Sequence, residues 1–126
     1  MDIIISEYIE YNHNEIINLY ESVGWANYVE HPQRLREGYK NSLCVLAAYK
    51  DTELVGILRA VGDNATILFI QDIIVLPKYQ RMGIGTKLIK SVMVIYALSD
   101  FLIMILSWLV KQSLRAFCFR RYSHEK

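Results

Sequence analysis

A glycine-rich turn between a strand-like segment and a helical segment constrains the fold of this chain more than any other feature. Residues 65–76 are mostly apolar and end at a proline, and residues 86–97 place apolar side chains at helical spacing. The turn between them contains Gly83 and Gly85, which lack the Cβ atoms that would keep a ligand away from the backbone. Such a strand–loop–helix junction offers convergent N–H groups and the positive end of a helix dipole. It therefore predicts a binding site for a phosphate or diphosphate group.

The spacing of the two glycines excludes one common phosphate-binding loop and weakens another. A P-loop requires four residues between its glycines, whereas one residue separates Gly83 from Gly85. A dinucleotide-binding fingerprint requires Gly or Ala three positions after the second glycine, where this chain has Leu88. The charge distribution still agrees with an anionic ligand near the second half of the chain. Residues 1–63 hold ten acidic and five basic residues, whereas residues 64–126 hold three acidic and nine basic residues.

The remaining segments predict an α+β domain, that is, a mixed α/β fold with a mostly antiparallel central sheet flanked by helices. The first helix has an asparagine three positions before a glutamate, as in a capping box, and a proline opens the second. Short polar connections between the three central strands favour antiparallel pairing, and the length of the third strand allows a bulge. The predicted strands are 3–9, 43–49, 54–61 and 65–76, and the predicted helices follow Asn12, Pro32 and Gly85.

The two glycines belong to a longer pattern. Residues 80–85 read Gln-Arg-Met-Gly-Ile-Gly, and residues 72–79 lead into them as Asp-Ile-Ile-Val-Leu-Pro-Lys-Tyr. The first run resembles the acyl-CoA-binding signature of the Gcn5-related N-acetyltransferase (GNAT) family, Gln/Arg-x-x-Gly-x-Gly/Ala, and the second resembles that family's fourth strand, which ends in Val-x-Pro-x-Tyr. The order of strand, helix pair, meander and glycine-rich loop extends the resemblance over residues 3–97, and it implies the family's fold.

The resemblance implies acetyl-CoA as co-substrate. In the family, the pyrophosphate lies on the amides of the loop, and the pantetheine arm pairs with the fourth strand as another strand would. The resemblance places the pantetheine contact on the backbone of Ile74 and Val75, with an N–H near Ile74 polarising the thioester carbonyl. It places the pyrophosphate contact on the loop residues Gln80, Arg81, Met82, Gly83, Ile84, Gly85 and Thr86.

The resemblance also implies transfer of the acetyl group to a primary amine by direct attack in a ternary complex. The amine is an ammonium near pH 7 and must first lose a proton to a base or to a chain of water molecules. Asp72 is the leading candidate for this base, or for orienting the acceptor, since it lies two residues before Ile74 on the same strand face. The alternative is a purely structural hydrogen-bonding role for Asp72.

The sequence departs from the family pattern after residue 97. The family continues with a fifth strand, a helix with a Phe-Tyr pair whose tyrosine protonates the leaving thiolate, and closing strands. Here Cys118 follows Phe117 where the tyrosine is expected, so Cys118 and Tyr122 are the candidate proton donors. Three explanations are open for this tail: a diverged strand and helix, a natural truncation, or a shifted reading frame. The abrupt change of composition favours the third. The departure also raises a second functional hypothesis, a catalytically impaired acyl-CoA-binding module.

Composition and the remaining motifs predict one cytoplasmic domain over residues 1–126. No signal-peptide pattern opens the sequence, and two cysteines 74 positions apart do not form a disulfide framework. The three histidines lack metal-ligand spacing and the basic tail lacks a nucleic-acid-binding signature, so neither a metal nor a nucleic acid is expected. Residues 92–110 approach the length of a membrane span, but Asp100 lies among them and no membrane partner is expected. Missing closing strands would expose a sheet edge, which predicts a homodimer.

Overall fold

The fold is built around one six-stranded sheet. The computed structural model describes residues 2–96 and the backbone of residues 102–105 and 117–120. A 3₁₀ turn, Pro77–Tyr79, lies between the fourth strand and the last described helix. The elements in chain order are β1 (Ile3–Glu7), α1 (His13–Ser22), α2 (Ala26–Glu30), α3 (Pro32–Lys40), β2 (Cys44–Lys50), β3 (Glu53–Gly62), β4 (Ile67–Val75), α4 (Ile84–Ile95), β5 (Leu102–Ile105) and β6 (Phe117–Arg120).

The order of strands in the sheet follows their order in the chain. Strands β1 to β4 pair antiparallel with their neighbours, β5 pairs parallel with β4, and β6 returns antiparallel to β5. The short connection after Lys50 and the turn around Asp63 produce the two central hairpins, as the sequence predicts. The α+β class with a mostly antiparallel sheet is confirmed.

Helices cover both faces of the sheet. On one face, α1 and α3 bury aromatic side chains, and the hydroxyl of Tyr20 reaches Asp72 on β4. On the opposite face, α4 packs so closely that a Cβ on Gly56 of β3 would lie 3.3 Å from the Cγ2 of Ile84. Glycine at this position therefore allows the N-terminus of α4 to approach the middle of the sheet.

The start of α1 shows how the predicted capping works. The Oδ1 of Asn12 accepts hydrogen bonds from the N–H groups of Asn14 and Glu15, at 3.1 and 3.3 Å. The reciprocal bond of a capping box passes through Tyr8 instead, whose hydroxyl accepts from Asn12 N–H at 2.9 Å and donates to the Glu15 carboxylate at 2.7 Å. One phenol thus joins the end of β1 to the start of α1, and burial raises its pKa.

Strand β4 contains the predicted bulge. Asp72 lies opposite Arg59 on β3, but the next register pair joins Ala60 to Ile70, so Gln71 is an extra residue on β4. An extra residue shifts the alternation of side chains, and the buried Ile70 and the buried Asp72 therefore face opposite sides of the sheet. The described pairing of β4 with β5 covers Ile67–Ile70 and ends at this bulge.

Strands β5 and β6 lie in the tail that departs from the family pattern. Strand β5 occupies part of the apolar run that follows residue 97, as a diverged strand and helix would require. Among the helices in the described ranges, none has the length and apolar character required to cross a bilayer. The helix expected next to this strand lies outside the described residues.

Candidate functional site

The candidate site lies where β4 ends and α4 begins. After the 3₁₀ turn, Arg81 and Gly83 both adopt left-handed backbone conformations, with φ angles of 65° and 82°. Alternation of left-handed and right-handed residues turns successive N–H groups toward one side and forms a concave anion-binding surface. Gly83 is also the N-cap of α4, so the same turn points the positive end of the helix dipole toward that surface.

The backbone N–H groups of this loop are available to a ligand. Within residues 2–96, the N–H groups of residues 81–86 have no hydrogen-bond acceptor in the protein, and no side chain caps α4. The first bonded amide is that of Lys87, which donates to Gly83 O at 3.0 Å. Six consecutive free donors at a helix N-terminus form a ready site for an anionic group.

The loop borders an open cleft of about 450 Å³. Among the described residues, no heavy atom lies within 4 Å of a Cβ built on Gly83 or on Gly85, so the space beside both glycines is free. Met82 is the one predicted loop residue outside the lining, and its side chain is 54 % exposed. The residues that line the cleft are Ile73, Val75, Tyr79, Gln80, Arg81, Gly83, Ile84, Gly85 and Thr86.

The register of β4 decides which backbone groups face the cleft. Leu76 donates its N–H to Val55 O on β3 at 2.9 Å. Hydrogen-bonded positions alternate along an antiparallel pair, so the N–H of Ile74 also points toward β3. The N–H groups of Ile73 and Val75 point the other way, toward the outer edge of β4. The outer edge of β4 therefore presents the N–H groups of Ile73 and Val75, whereas Ile74, which was predicted to contact the ligand, directs its N–H toward β3.

Gln80 confirms this direction and connects the loop to the strand. Its Nε2 donates to Val75 O at 2.9 Å, so that carbonyl also points away from β3. Within the described chain, no strand pairs with this edge of β4 beyond Ile70. Among the described residues this edge is therefore unpaired next to the loop, and Ile73 presents a backbone donor and acceptor of the kind that an extended ligand can bind.

Asp72 lies on the other side of the sheet from α4 and does not line the cleft. Its side chain is 1 % exposed, and Oδ2 accepts hydrogen bonds at 2.8 Å from both Arg59 Nε and the Tyr20 hydroxyl. Burial lowers the pKa of Arg59, but the charge of Asp72 more than reverses this and the net shift is upward. Burial raises the pKa values of Tyr20 and Tyr39, which therefore remain neutral phenols.

Sequence reasoning did not find Arg59, Tyr20 or Tyr39 as members of this cluster. Arg59 is 13 residues from Asp72 and Tyr20 is 52 residues from it, so helical or strand spacing gives no signal. A charged residue within the otherwise apolar run of β3 was the one indication available, since such a charge requires a buried partner.

The two candidate proton donors, Cys118 and Tyr122, both lie in the tail after residue 97. The backbone of Cys118 belongs to β6 and pairs with Met104 on β5, whereas Tyr122 lies outside the described residues. Among the residues that the structure describes, His, Cys, Asp and Glu side chains form no cluster of three that would hold a metal ion.

The fold and the site define a class of protein: a domain with a mixed sheet and an anion-binding loop at a helix N-terminus. Comparison with known proteins identifies the family. The model of the acetyltransferase (GNAT) family matches residues 9–115. An uncharacterized N-acetyltransferase, ycf52, of Pyropia yezoensis is 31 % identical over 93 residues, which are 70 % of this chain and 52 % of that protein. This chain therefore belongs to the GNAT family of acetyltransferases.

Solved structures show the same fold. A GNAT family acetyltransferase from Streptococcus pneumoniae superposes with a TM-score of 0.73 at 29 % identity, over 89 % of this chain and 80 % of that one. The PaiA N-acetyltransferase from Thermoplasma acidophilum, solved with coenzyme A, gives a TM-score of 0.62 at 19 % identity, over 83 % and 79 % of the two chains. The present chain spans about half the length of the curated relatives that it matches.

Proposed function

We propose that this domain transfers an acetyl group from acetyl-CoA to a primary amine by direct attack in a ternary complex. The observation that carries the proposal is the set of six free amides at residues 81–86, next to an edge of β4 that no described strand covers. The amides fit a diphosphate, and the strand edge fits the amide-containing pantetheine arm of the same molecule. The Thermoplasma acidophilum structure, solved with coenzyme A, supports this choice of co-substrate.

The chain's own residues divide the task of binding. The loop amides hold the diphosphate, and the basic side chains of Lys78, Arg81 and Lys87 raise the positive potential around it. The backbone of Ile73 and the N–H of Val75 align the arm along β4. The Ile73 N–H, which lies nearest the bulge, is the proposed donor to the thioester oxygen, on which negative charge develops during attack.

Acetyl transfer then requires two proton movements. The neutral amine forms a C–N bond to the acetyl carbon, the C–S bond breaks, and the nitrogen loses one proton as the thiolate of coenzyme A gains one. Because the ion pair with Arg59 already engages Asp72 Oδ2, we propose that water takes the proton of the ammonium group. Cys118 and Tyr122 stay the proposed donors to the thiolate.

The second candidate function is binding of acyl-CoA without efficient transfer. The observation in its favour is the position of Asp72, which is buried in an ion pair and does not line the cleft. A base for the amine would then be missing from the described part of the site, although the amides of the loop would still bind the cofactor.

Calorimetric titration with acetyl-CoA, followed by an assay of free thiol with a panel of amines, tests both functions. Binding with amine-dependent release of thiol supports the transferase, and binding without release supports the binding module. Absence of heat and of thiol release would contradict both. Coenzyme A and pantetheine serve as paired ligands, because pantetheine lacks the diphosphate that the loop is proposed to hold.

We also propose that the domain acts in the cytoplasm and forms a homodimer. Exposed apolar side chains at the end of α4, Val94 at 73 % and Ile95 at 56 %, provide surface that a second copy would cover.

A further inference from the structure

The ion pair of Arg59 and Asp72 is buried between two neighbouring strands. The two side chains are 9 % and 1 % exposed, their atoms Nε and Oδ2 lie 2.8 Å apart, and the residues face each other directly in the register of β3 and β4. A buried charge without a partner is strongly unfavourable, whereas a paired one is tolerated. This pair therefore disfavours any strand pairing that would separate Arg59 from Asp72.

Hydroxyl groups complete the network around the pair. The carboxylate of Asp72 accepts the only hydroxyl hydrogen of Tyr20, at 2.8 Å, so at the 3.0 Å contact between the two phenols Tyr39 must donate to Tyr20. Arg59 Nη1 donates to Ser42 Oγ at 3.3 Å, and its guanidinium carbon lies 5.4 Å from the centre of the Tyr39 ring. The network thus joins β3 and β4 to α1 and α3.

The pair also lies next to the bulge. Arg59 and Asp72 form the last regular pair before Gln71, after which Ala60 pairs with Ile70. The described pairing of β4 with β5 ends at the same place.

Apolar residues alone do not fix the position of this bulge. If Ile73 were the extra residue instead of Gln71, Ile70 and Ile74 would keep their partners Ala60 and Ile57 on β3. Asp72 is different, because moving the extra residue past it would turn its carboxylate toward the face covered by α4, away from Arg59. The charge of Asp72 therefore favours the observed register over those in which the bulge lies beyond Asp72, because only the observed one leaves Asp72 paired with Arg59.

We propose that Asp72 is a positioning residue: its ion pair with Arg59 fixes the bulge at Gln71 and so determines that the N–H groups of Ile73 and Val75 face the cleft. The consequence for acetyl-CoA rests on the proposed function, whereas the consequence for strand register does not. Asp72 thereby acts through the backbone of β4 and has no contact with the reacting atoms.

Asp72→Asn tests the proposal, with Asp51→Asn as the matched control. Asp51 forms a partly exposed pair with Lys50, at 3.5 Å, so the control removes a carboxylate from an ion pair outside the network. The register is read from cross-strand nuclear Overhauser effects between β3 and β4 and from amide exchange of residues 68–75. Acetyl-CoA affinity is measured by calorimetry, and kcat/KM is measured as a function of pH.

For Asp72→Asn we expect amide exchange in residues 68–75 at least tenfold faster, altered cross-strand contacts and at least tenfold weaker acetyl-CoA binding. The pH profile of the remaining activity should keep its shape, because no catalytic base is lost. Asp51→Asn should match the wild type in all measurements. Unchanged affinity and register, with loss of kcat and of the acidic limb of the pH profile, would show that Asp72 is the base and overturn the proposal.

A double variant covers the case in which Asp72→Asn fails to fold. Arg59→Met with Asp72→Leu replaces the pair by apolar side chains, which buried ion pairs often tolerate. We expect this variant to fold, with mixed cross-strand contacts around Gln71 and weak acetyl-CoA binding. A single native register in the double variant would refute the proposal. If the wild type itself does not bind acetyl-CoA, the proposed function fails, while the register measurements still decide the role of Asp72.

Discussion

Substitution of Gly83 by alanine separates the ligand-binding role of the loop from its contribution to folding. Gly83 has a φ of 82°, and in the described chain a Cβ built there meets no heavy atom within 4 Å. Gly24 provides a matched control, because its φ is 76° and its built Cβ is equally free of neighbours, yet it lies between α1 and α2. Both substitutions should therefore cost the same backbone strain.

The expected magnitudes follow from this geometry. An L-residue in the left-handed region costs about 1 kcal/mol, so each variant should unfold about 4 °C below the wild type. In Gly83→Ala the methyl group also occupies free space beside the cleft that Gly83 lines, where the diphosphate is proposed to bind. Loss of one charge-assisted hydrogen bond to the diphosphate is worth about 1.5–3 kcal/mol, which corresponds to roughly 10- to 150-fold weaker binding of coenzyme A.

The assay combines thermal unfolding with calorimetric titration by coenzyme A and by pantetheine. Gly83→Ala should lose affinity for coenzyme A and retain that for pantetheine, whereas Gly24→Ala should bind both ligands as the wild type does. Equal coenzyme A affinity in Gly83→Ala and wild type, or an equal loss in both glycine variants, would refute the assignment of the loop.

Three further predictions address stability, pH dependence and assembly. Gly85→Ala should raise the unfolding temperature by a few degrees, because the position is helical and its built Cβ meets no described atom within 4 Å; a lower temperature would contradict this. Burial raises the pKa values of Tyr20 and Tyr39 above the ordinary 10.0, so their contribution to stability is complete below pH 10 and declines above it, as the unfolded chain loses protons first. Urea unfolding between pH 8 and 11 should show this decline in stability, and Tyr20→Phe should make the decline shallower. An identical decline in the variant and the wild type would contradict the contribution of Tyr20. Light scattering should give twice the chain mass of 14.7 kDa, and a monomer mass at high concentration would contradict the homodimer.

The local elements follow from the sequence because their signals are local. The Asn12 cap, the opening of α3 at Pro32 and the end of β4 before Pro77 are each decided by one residue type and its own backbone. Helix α2 was not predicted from the sequence. None of its residues is fully buried, so its five residues show little of the regular apolar spacing by which a helix is recognised.

The glycine-rich loop was predictable for a related reason. Gly83 adopts a positive φ, and helix α4 begins at the next residue. The N–H donors of the loop therefore all come from one continuous stretch of sequence. Its interpretation as a diphosphate site therefore needed no knowledge of the rest of the sheet.

The surroundings of Asp72 and the direction of the N–H groups of Ile73 and Ile74 needed the tertiary structure. The alternation of side chains along β4 is visible in the sequence. Which N–H groups of β4 face β3, however, depends on the register, and the register is a property of two paired strands. The partners of Asp72 come from β3 and α1, at sequence distances that no periodic pattern reports. The sequence by itself thus determined most of the elements and the glycine-rich turn, because these depend on neighbouring residues, whereas only the assembled sheet decided which backbone groups face the cleft and which charges are buried together.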